Sequence, residues 1–452
     1  MKNGFPVLLG FLSATAGFAS SGAAADTPAS PRPDVAEDAF VSSRNPLIES
    51  YSEKDHLLGD LGGVRTRWVD RGIHFQSGYL GEVMGNLSGG LQRGAVYEGL
   101  FLAAVTLDME KLTAAWHGGF LRASLLYPHG QSASGELLGD VQTASNIDAY
   151  DSFALYEWWF EQNFWQDRVS LRLGQQSADE EFTTTASGGL FLNSSFGWPA
   201  FISGSTRNTG PAFYRAALGA RLWVEPVENF YLQAGVYDGD TFDDRGGSPK
   251  KNRHGTNIRL SSKQGAFAIA EAGLRLNQAK KARALPGTFK IGAWLHTAEF
   301  DDVIHPSRTH RRNFGAYAAI EQNLWREARN EEGFDQGLAA FFRAGFSPED
   351  RNPFTYTFDT GFNYTGLLPG RDEDTFGVGV AMVRMSDDLR RAERRSGAAV
   401  ISDYEIVLEA TYEFILTSWW NVQPDFQWIH HPGGSRAIDD AFALGLRTRI
   451  TF

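Results

Sequence analysis

The sequence predicts an all-β fold: a transmembrane outer-membrane β-barrel of about sixteen antiparallel strands, with a short N-terminal periplasmic helix. From residue 73 to the end, apolar and polar side chains alternate with a period of two, which is the side-chain period of a β-strand. Aromatic residues make up 13% of the chain and glycines number 49, yet the mean hydropathy is only −0.30. An apolar face towards lipid that alternates with a polar lumen produces this combination.

The N-terminus has the pattern of a leader for secretion. A lysine at position 2 is followed by an apolar stretch at residues 5–18 and by three alanines at residues 23–25. We therefore expect residues 1–25 to be a removed signal peptide. A membrane anchor is the alternative, but the stretch contains Gly10, Ser13 and Gly17 and is shorter than the ~20 residues that a spanning helix needs.

Cysteine content and charge exclude several classes of protein. The chain has no cysteine, which excludes a disulfide framework, a thiolate metal site and a cysteine nucleophile. The net charge of −12 argues against a nucleic-acid partner, because phosphate binding requires clustered lysines and arginines. After residue 25 the sequence has no long uncharged apolar run, which argues against α-helical membrane spans. We expect no nucleic-acid partner and no cofactor.

Residues 26–72 are expected to form a periplasmic N-terminal segment. Residues 26–56 contain four prolines among polar residues and show neither a helical nor a strand period, which is typical of a flexible segment. In residues 57–72, Val64 and Trp68 are spaced as on one face of a helix, and Gly72 can end it. A short helix should therefore lead into the first strand.

Residues 73–452 are expected to form the barrel, and the last segment shows the alternation most clearly. Leu444, Leu446 and Ile450 share one face, whereas Arg447 and Arg449 share the other. Two arginines in one strand need water on their side, so that face should line a lumen.

The same alternation predicts which way other side chains point. It places Leu408 towards lipid and Glu409 towards the lumen, and it places Tyr156 on the outer face opposite Glu157. Sixteen segments have this pattern, an even number as in single-chain bacterial barrels. Their centres lie near residues 78, 101, 123, 157, 172, 218, 234, 272, 292, 318, 342, 358, 380, 408, 424 and 447.

The longest connection between these segments covers residues 178–210. It contains three consecutive acidic residues at 179–181, two glycines at 188–189, and Phe196 and Trp198 around Gly197. Loops of this length in a compact fold are usually functional. We expect this one to fold into the barrel and constrict it.

A series of short motifs resembles the OprB-type family of carbohydrate-selective porins. The most specific is Gly-Asp-Leu-Gly-Gly-Val-Arg at residues 59–65. The chain departs from the family pattern at Leu61, where tryptophan is usual, and at His431, where asparagine is usual. The matching residues, in order along the chain, are 58–67, 70–73, 79–83, 85–86, 88–90, 218–221, 237–239, 321–322, 343–345, 423–427 and 432–434.

The resemblance implies a porin in the outer membrane of a Gram-negative bacterium that passes monosaccharides and similar small carbohydrates into the periplasm by facilitated diffusion. A general diffusion porin without sugar selectivity is the first alternative. The implied partners are carbohydrate solutes, outer-membrane lipid and the outer-membrane assembly machinery, which would recognise the C-terminal Phe452. A homotrimer is one assembly that this resemblance allows.

Sugar binding in a channel requires hydrogen-bonding side chains near aromatic surfaces, because hydroxyl groups donate and accept and the C–H face of a sugar packs on rings. The inward-facing charges are of both signs, which suits a neutral solute. Each of these charges could instead pair across strands as part of the wall, and each loop aromatic could pack against the wall. The candidates for the constriction are Arg122, Glu157, Trp159, Arg172, Phe196, Trp198 and Arg221.

Three other groups of residues have the composition of a metal site. The neighbours His430 and His431 are disfavoured as metal ligands, because adjacent residues of a strand point to opposite faces. His305 with His310 is disfavoured too, and the acidic residues at 179–181 are better explained as a solvated rim than as a calcium site. We therefore expect no metal.

A secreted β-rich glycosidase or lectin is the alternative from another class. Glu157 with Glu161, or Glu405 with Glu409, could flank a glycosidic bond. However, residues four apart on a strand are separated by about 13 Å, which exceeds either glycosidase geometry. We therefore expect a channel and no enzyme.

Overall fold

Sixteen β-strands form one closed antiparallel barrel in the computed structural model, which describes residues 56–278, 284–327 and 336–452. All sixteen predicted strand centres fall inside an observed strand, so the predicted fold class is confirmed. The predicted signal peptide at residues 1–25 lies outside the described residues. The strands are β1 (Ile73–Ser88), β2 (Gly94–Asp108), β3 (Gly119–Gly130), β4 (Ala154–Phe164), β5 (Val169–Gln176), β6 (Ala217–Val227), β7 (Phe230–Asp238), β8 (Ala266–Leu276), β9 (Gly287–Asp301), β10 (Thr309–Arg326), β11 (Gly337–Phe346), β12 (Phe354–Thr365), β13 (Thr375–Met385), β14 (Tyr404–Thr417), β15 (Trp420–His430) and β16 (Ala441–Thr451).

Pairing of β1 with β16 closes the barrel, and the chain end is held beside it. The backbone N–H of Phe452 donates to the carbonyl oxygen of Ser77 over 3.0 Å. Helix α1 (Val64–Asp70) lies next to this junction, and Nη2 of Arg65 donates to the carbonyl oxygen of Phe452 over 3.0 Å. The helix is followed by Gly72 at φ 81°, a backbone conformation that glycine adopts without strain.

Three further short α-helices lie in the connections of the described ranges. They are α2 (Met109–Thr113), α3 (Ala200–Ser203) and α4 (Asp387–Ser396). None of the helices in the described ranges has the length and apolar character needed to cross a membrane.

The two faces of the strands follow the predicted alternation. In β14, Glu405 and Glu409 are fully buried inside the barrel, whereas Leu408 lies on the outer face. In β16, Leu444 and Leu446 are about half exposed outside, which is the side available to lipid.

Tyr156 departs from the predicted alternation. The pairing of β3 with β4 shifts register between Ala123 and Leu125, which leaves an extra residue in β4. Tyr156 and Glu157 are consequently both buried inside, and the hydroxyl of Tyr156 bonds to Oγ of Ser177 over 2.8 Å. Tyr156 was therefore wrongly placed on the outer face, because a bulge interrupts the period of two.

We expect Leu408→Arg to impair folding in a membrane. A charge on the lipid face near the bilayer midplane costs about 2–4 kcal/mol. The matched control is Ala339→Arg, because Ala339 lines a cavity in the lumen where an arginine remains hydrated. The folded fraction after refolding into lipid vesicles, read from heat-modifiable migration, should fall for the first variant and not for the second. Equal losses would contradict the assignment of the faces.

The connections at the two ends of the barrel differ in length. We call the end that carries the brief turns the turn end and the other the loop end. In bacterial barrels the short turns are periplasmic, which places the loop end outside the cell. The turns include residues 165–168, 228–229 and 418–419, and the loops include residues 131–153, 177–216, 239–265 and 386–403.

Two loops fold back into the barrel. Residues 177–216, the inner loop, pack Phe182, Phe201 and Ile202 against β7 to β10. Residues 131–153, the second loop, pack Leu137 and Leu138 against β1 and β14 to β16. The lumen is therefore partly filled by loop side chains, and these loops shape the space that remains.

Candidate functional site

Glutamates of the barrel wall hold the backbone of the inner loop. Oε1 and Oε2 of Glu409 accept hydrogen bonds from the backbone N–H groups of Leu192 and Asn193 at 2.6 and 3.0 Å. Oε2 of Glu271 accepts one from the N–H of Thr183 at 3.0 Å. Carboxylates are strong acceptors for N–H donors that a loop inside a barrel would otherwise leave unpaired.

The second loop is held by wall glutamates in the same way. Glu405 accepts hydrogen bonds from the backbone N–H groups of Val141 and Gln142, both at 2.9 Å, and from that of Gly433 at 2.7 Å. Oε1 of Glu98 accepts one from Ala133 at 2.9 Å. These wall carboxylates therefore determine where both loops sit.

Arg343 complements the glutamates by binding loop carbonyl groups. Its guanidinium is fully buried and pairs with Oδ2 of Asp359 at 3.0 Å. Its remaining N–H groups donate to the carbonyl oxygens of Thr183, Ser195 and Gly197 at 2.8, 2.6 and 2.8 Å. One side chain thereby fixes two separate stretches of the inner loop.

Two of the predicted site residues, Arg172 and Arg221, lie in a four-charge cluster. They are paired directly across β5 and β6. Oε2 of Glu161 contacts Nε of Arg172 at 2.6 Å and Nη2 of Arg221 at 3.0 Å. Glu181 of the inner loop contacts the same two arginines at 2.9 and 3.4 Å. Two wall cations are thus neutralised by one wall anion and one loop anion.

Trp159 is also part of this cluster. The guanidinium carbon of Arg172 lies 4.2 Å from the centroid of its ring, a cation–π contact. The exposed fractions of the Arg172 and Arg221 side chains are 9% and 4%. Little of either guanidinium is therefore open to a solute.

Arg122 and Glu157 form a neighbouring pair. Nη1 of Arg122 donates to Gln76 and Thr106 at 3.1 and 3.0 Å, and its Nε lies 3.8 Å from Oε2 of Glu157. Oε1 of Glu157 accepts a hydrogen bond from the backbone N–H of Ser177, where the inner loop begins. Through Glu157, this pair contacts the start of the inner loop, whereas Glu409 contacts the middle of the loop.

The two aromatic candidates of the inner loop pack against other rings. Phe196 is buried, with its ring centroid 4.5 Å from that of Phe191 and 6.0 Å from that of Phe341 on the wall. Trp198 packs edge-on against Phe267, and its Nε1 donates to the carbonyl oxygen of Thr209 at 2.8 Å. Both rings therefore contribute to holding the loop against the barrel.

Open space inside the barrel includes two cavities, one above the other. The upper cavity, of 340 Å³, lies between both inward loops and β16. The lower cavity, of 380 Å³, lies towards the turn end. Gly189 and Arg449 line both cavities, so the two spaces adjoin at these residues.

The linings of the cavities include one predicted site residue, Trp198, in the upper one. Arg447 lines the upper cavity, pairing with Glu82 at 2.6 Å, and Arg449 pairs with Glu413 at 3.2 Å. The alternation predicts that these two arginines face the lumen, but they are not among the predicted site residues. Their place on the inner face of the last strand was the signal that could have identified them.

Two acidic groups of the loops also line the upper cavity. They are Asp148 and Asp179, and burial raises the pKa of both carboxyl groups. Asp179 accepts hydrogen bonds from Oγ of Ser177 at 2.5 Å and from the backbone N–H of Phe213 at 2.8 Å. The cavity therefore presents both hydrogen-bond donors and acceptors, with an aromatic ring beside them.

Comparison with known proteins gives a family match over most of the chain. Residues 92–452 match the family model described as "Carbohydrate-selective porin, OprB family". The chain is 23% identical to "Porin B" of Pseudomonas aeruginosa over 433 residues, which cover 88% of this chain and 91% of that protein. It is 22% identical to "Putative porin QuiX" of Acinetobacter baylyi, with 92% of this chain and 97% of that protein covered.

The barrel is also similar to a solved structure. The high-pH structure of Pseudomonas putida OprB superposes with a TM-score of 0.78 at 23% sequence identity, covering 89% of this chain and 99% of that one. This likeness shows that the two chains share the fold.

Proposed function

Because the chain belongs to the OprB family of carbohydrate-selective porins, we propose which residues a sugar meets on its way through the barrel. The protein is a porin of the Gram-negative outer membrane, a channel for carbohydrates. The finer proposal is that monosaccharides and similar small carbohydrates pass from the upper cavity to the lower one between Gly189 and Arg449. The observation that carries it is that these two residues line both spaces.

The chemistry of the upper cavity suits a neutral solute with many hydroxyl groups. A guanidinium carries five N–H donors in a fixed plane, so Arg447 and Arg449 can each donate to a hydroxyl group besides their carboxylate partner. Trp198 offers a ring for the C–H face of a sugar. Each contact must stay weak, because a channel that holds its solute tightly stops conducting it.

The other predicted site residues act, in this proposal, through the position of the inner loop. Their burial and pairing support this role, since Arg172 and Arg221 bind Glu181 of the loop, and Glu157 binds its first N–H group. Arg122 contacts Glu157, and Trp159 packs against Arg172. Phe196 of the loop packs against Phe341 of the wall. The alternative is that the arginines bind the sugar directly.

The proposal also covers catalytic activity, membrane contacts, assembly and oligomeric state. The matched relatives are named as porins, which are channels, and we assign the chain no catalytic activity. The apolar outer face would contact lipid. The outer-membrane assembly machinery would recognise Phe452, which lies beside the pair of strands that closes the barrel. A homotrimer would bury part of the outer face. Chemical cross-linking in detergent would show how many chains the assembly contains.

We expect Arg449→Ala and Trp198→Ala to weaken sugar block of the ion current in planar bilayers. For Arg449, loss of one hydrogen bond from a charged donor, about 1.5 kcal/mol, weakens binding about tenfold. For Trp198, the sugar loses the ring on which its C–H face would pack. Small-ion conductance should hold or rise, because neither variant adds bulk. Arg245→Ala is the control, since Arg245 forms an exposed ion pair with Asp301. Unchanged block in both variants, with liposome swelling rates ordered by sugar size alone, would favour a general diffusion pore.

A further inference from the structure

The connection between β15 and β16 brings two histidines and an aspartate together at the loop end. His430 is the last residue of β15, His431 follows it, and Asp440 directly precedes β16. Each of the three offers a ligand atom, and these atoms lie within 4.8 Å of one another. Nothing in the sugar pathway uses this cluster.

The two neighbouring imidazoles lie on the same side of the chain. On a continuous strand they would point to opposite faces, which argues against a shared metal ion. The strand ends at His430, however, and His431 adopts a left-handed conformation with φ 53° and ψ 63°. The rings stack with their centroids 3.8 Å apart, so the geometric objection does not hold.

A buried ring nitrogen of this cluster has no hydrogen-bond partner among the described residues. Nδ1 of His430 lies 2.8 Å from Oδ2 of Asp440, and Oδ1 of Asp440 accepts the backbone N–H of His431 at 3.1 Å. Nδ1 of His431 is buried and makes no hydrogen bond within the described ranges, and the residue is only 9% exposed. A buried polar atom without a partner costs free energy, and a ligand at that atom would remove the cost.

The cluster is held by its neighbours and is open on one side. The carbonyl oxygen of His431 accepts from the N–H of Gly434 at 2.8 Å, and the N–H of Gly433 donates to Glu405 at 2.7 Å. The side chains of His430 and Asp440 are 24% and 34% exposed. An ion could therefore enter from the loop end without unfolding the turn.

We propose that His430, His431 and Asp440 bind a divalent transition-metal ion of the Zn²⁺ class at the outer mouth of the barrel. Two imidazoles and one carboxylate form a ligand set that zinc takes in proteins, with a fourth position left for water or a further ligand. Ca²⁺ and Mg²⁺ prefer six or more oxygen ligands, which this cluster does not supply. A bound ion joins the ends of β15 and β16 and stabilises the turn that Glu405 holds.

The test is Zn²⁺ binding by the detergent-purified protein without a polyhistidine tag. Isothermal titration calorimetry, and metal analysis after dialysis, should each show one Zn²⁺ ion bound per chain at the cluster. His431→Asn and His430→Gln should each weaken its binding more than about 100-fold, because even outer partners of metal ligands contribute 10–100-fold. Heat-modifiable migration reports whether each variant is folded. If one variant misfolds, the other still tests the proposal.

The matched control is His117→Asn, because His117 pairs with a single carboxylate, Glu110, at the turn end. This variant should bind Zn²⁺ as the unaltered protein does. Two results would overturn the proposal: folded His430 and His431 variants that bind as much Zn²⁺ as the unaltered protein, or an equal loss in His117→Asn.

Discussion

Replacing residues 188–198 of the inner loop by a short glycine–serine linker is expected to widen the channel and remove its discrimination between sugars. This stretch carries Phe191 and Phe196, which fill space beside Phe341, and Trp198, which lines the upper cavity. It also carries the Leu192 and Asn193 N–H groups that Glu409 binds. Without it, the upper and lower cavities merge into one wide passage.

Single-channel conductance should rise severalfold, and liposome swelling rates should then depend on solute size alone. The barrel itself should persist, because strand pairing closes it independently of the loop. Glu409→Gln is the milder companion variant, since it weakens two loop hydrogen bonds and leaves the loop in place. An unchanged conductance and an unchanged order of sugars in the shortened protein would show that this stretch does not constrict the channel.

Glu161→Gln is expected to destabilise the barrel strongly. Arg172 and Arg221 face each other across two strands, and Glu161 binds both of them while buried. Removing one partner from a buried ion pair typically costs about 3–5 kcal/mol, because the remaining charge is left unpaired. The free energy of unfolding in urea, measured in lipid vesicles, should fall by about this amount.

Asp301→Asn provides the control for this measurement. It breaks the pair with Arg245, whose side chains are 58% and 60% exposed, and exposed pairs contribute at most about 1 kcal/mol. Equal unfolding midpoints in the two variants would indicate that water reaches the Arg172 and Arg221 cluster. In that case the arginines are accessible to a solute, and Arg172→Ala should weaken sugar block directly.

The positions of the strands could be predicted because the signal is local. In β16, each residue faces either lipid or the lumen. The neighbours Leu446 and Arg447 therefore point to opposite faces, and the first is apolar whereas the second is charged. The period fails at Tyr156, since a bulge depends on how β3 and β4 pair and not on the residues of β4 alone. The same limit applies to His430 and His431, whose common side depends on where β15 ends.

The roles of the inward-facing charges could not be read from their positions in the strands. Glu409 and Arg449 follow the same alternation, yet the first binds loop backbone and the second lines both cavities. More than two hundred residues separate Glu409 from the loop groups that it binds, since the sequence separations are 217 and 216. No short-range pattern records a contact of that kind.

The sequence by itself determined the barrel, the number of its strands and, away from bulges such as the one at Tyr156, the face on which a wall residue lies, because alternation between lipid and water repeats every two residues along one chain. Only the tertiary structure decided which lumen residues line open space and which bind the loops. Polar backbone groups that enter the barrel must find partners there, and wall side chains such as Glu405, Glu409 and Arg343 supply them. Wall charges that bind loop backbone are not free to contact a solute, and in the pathway that we propose the solute passes Trp198, Arg447 and Arg449, which line the upper cavity.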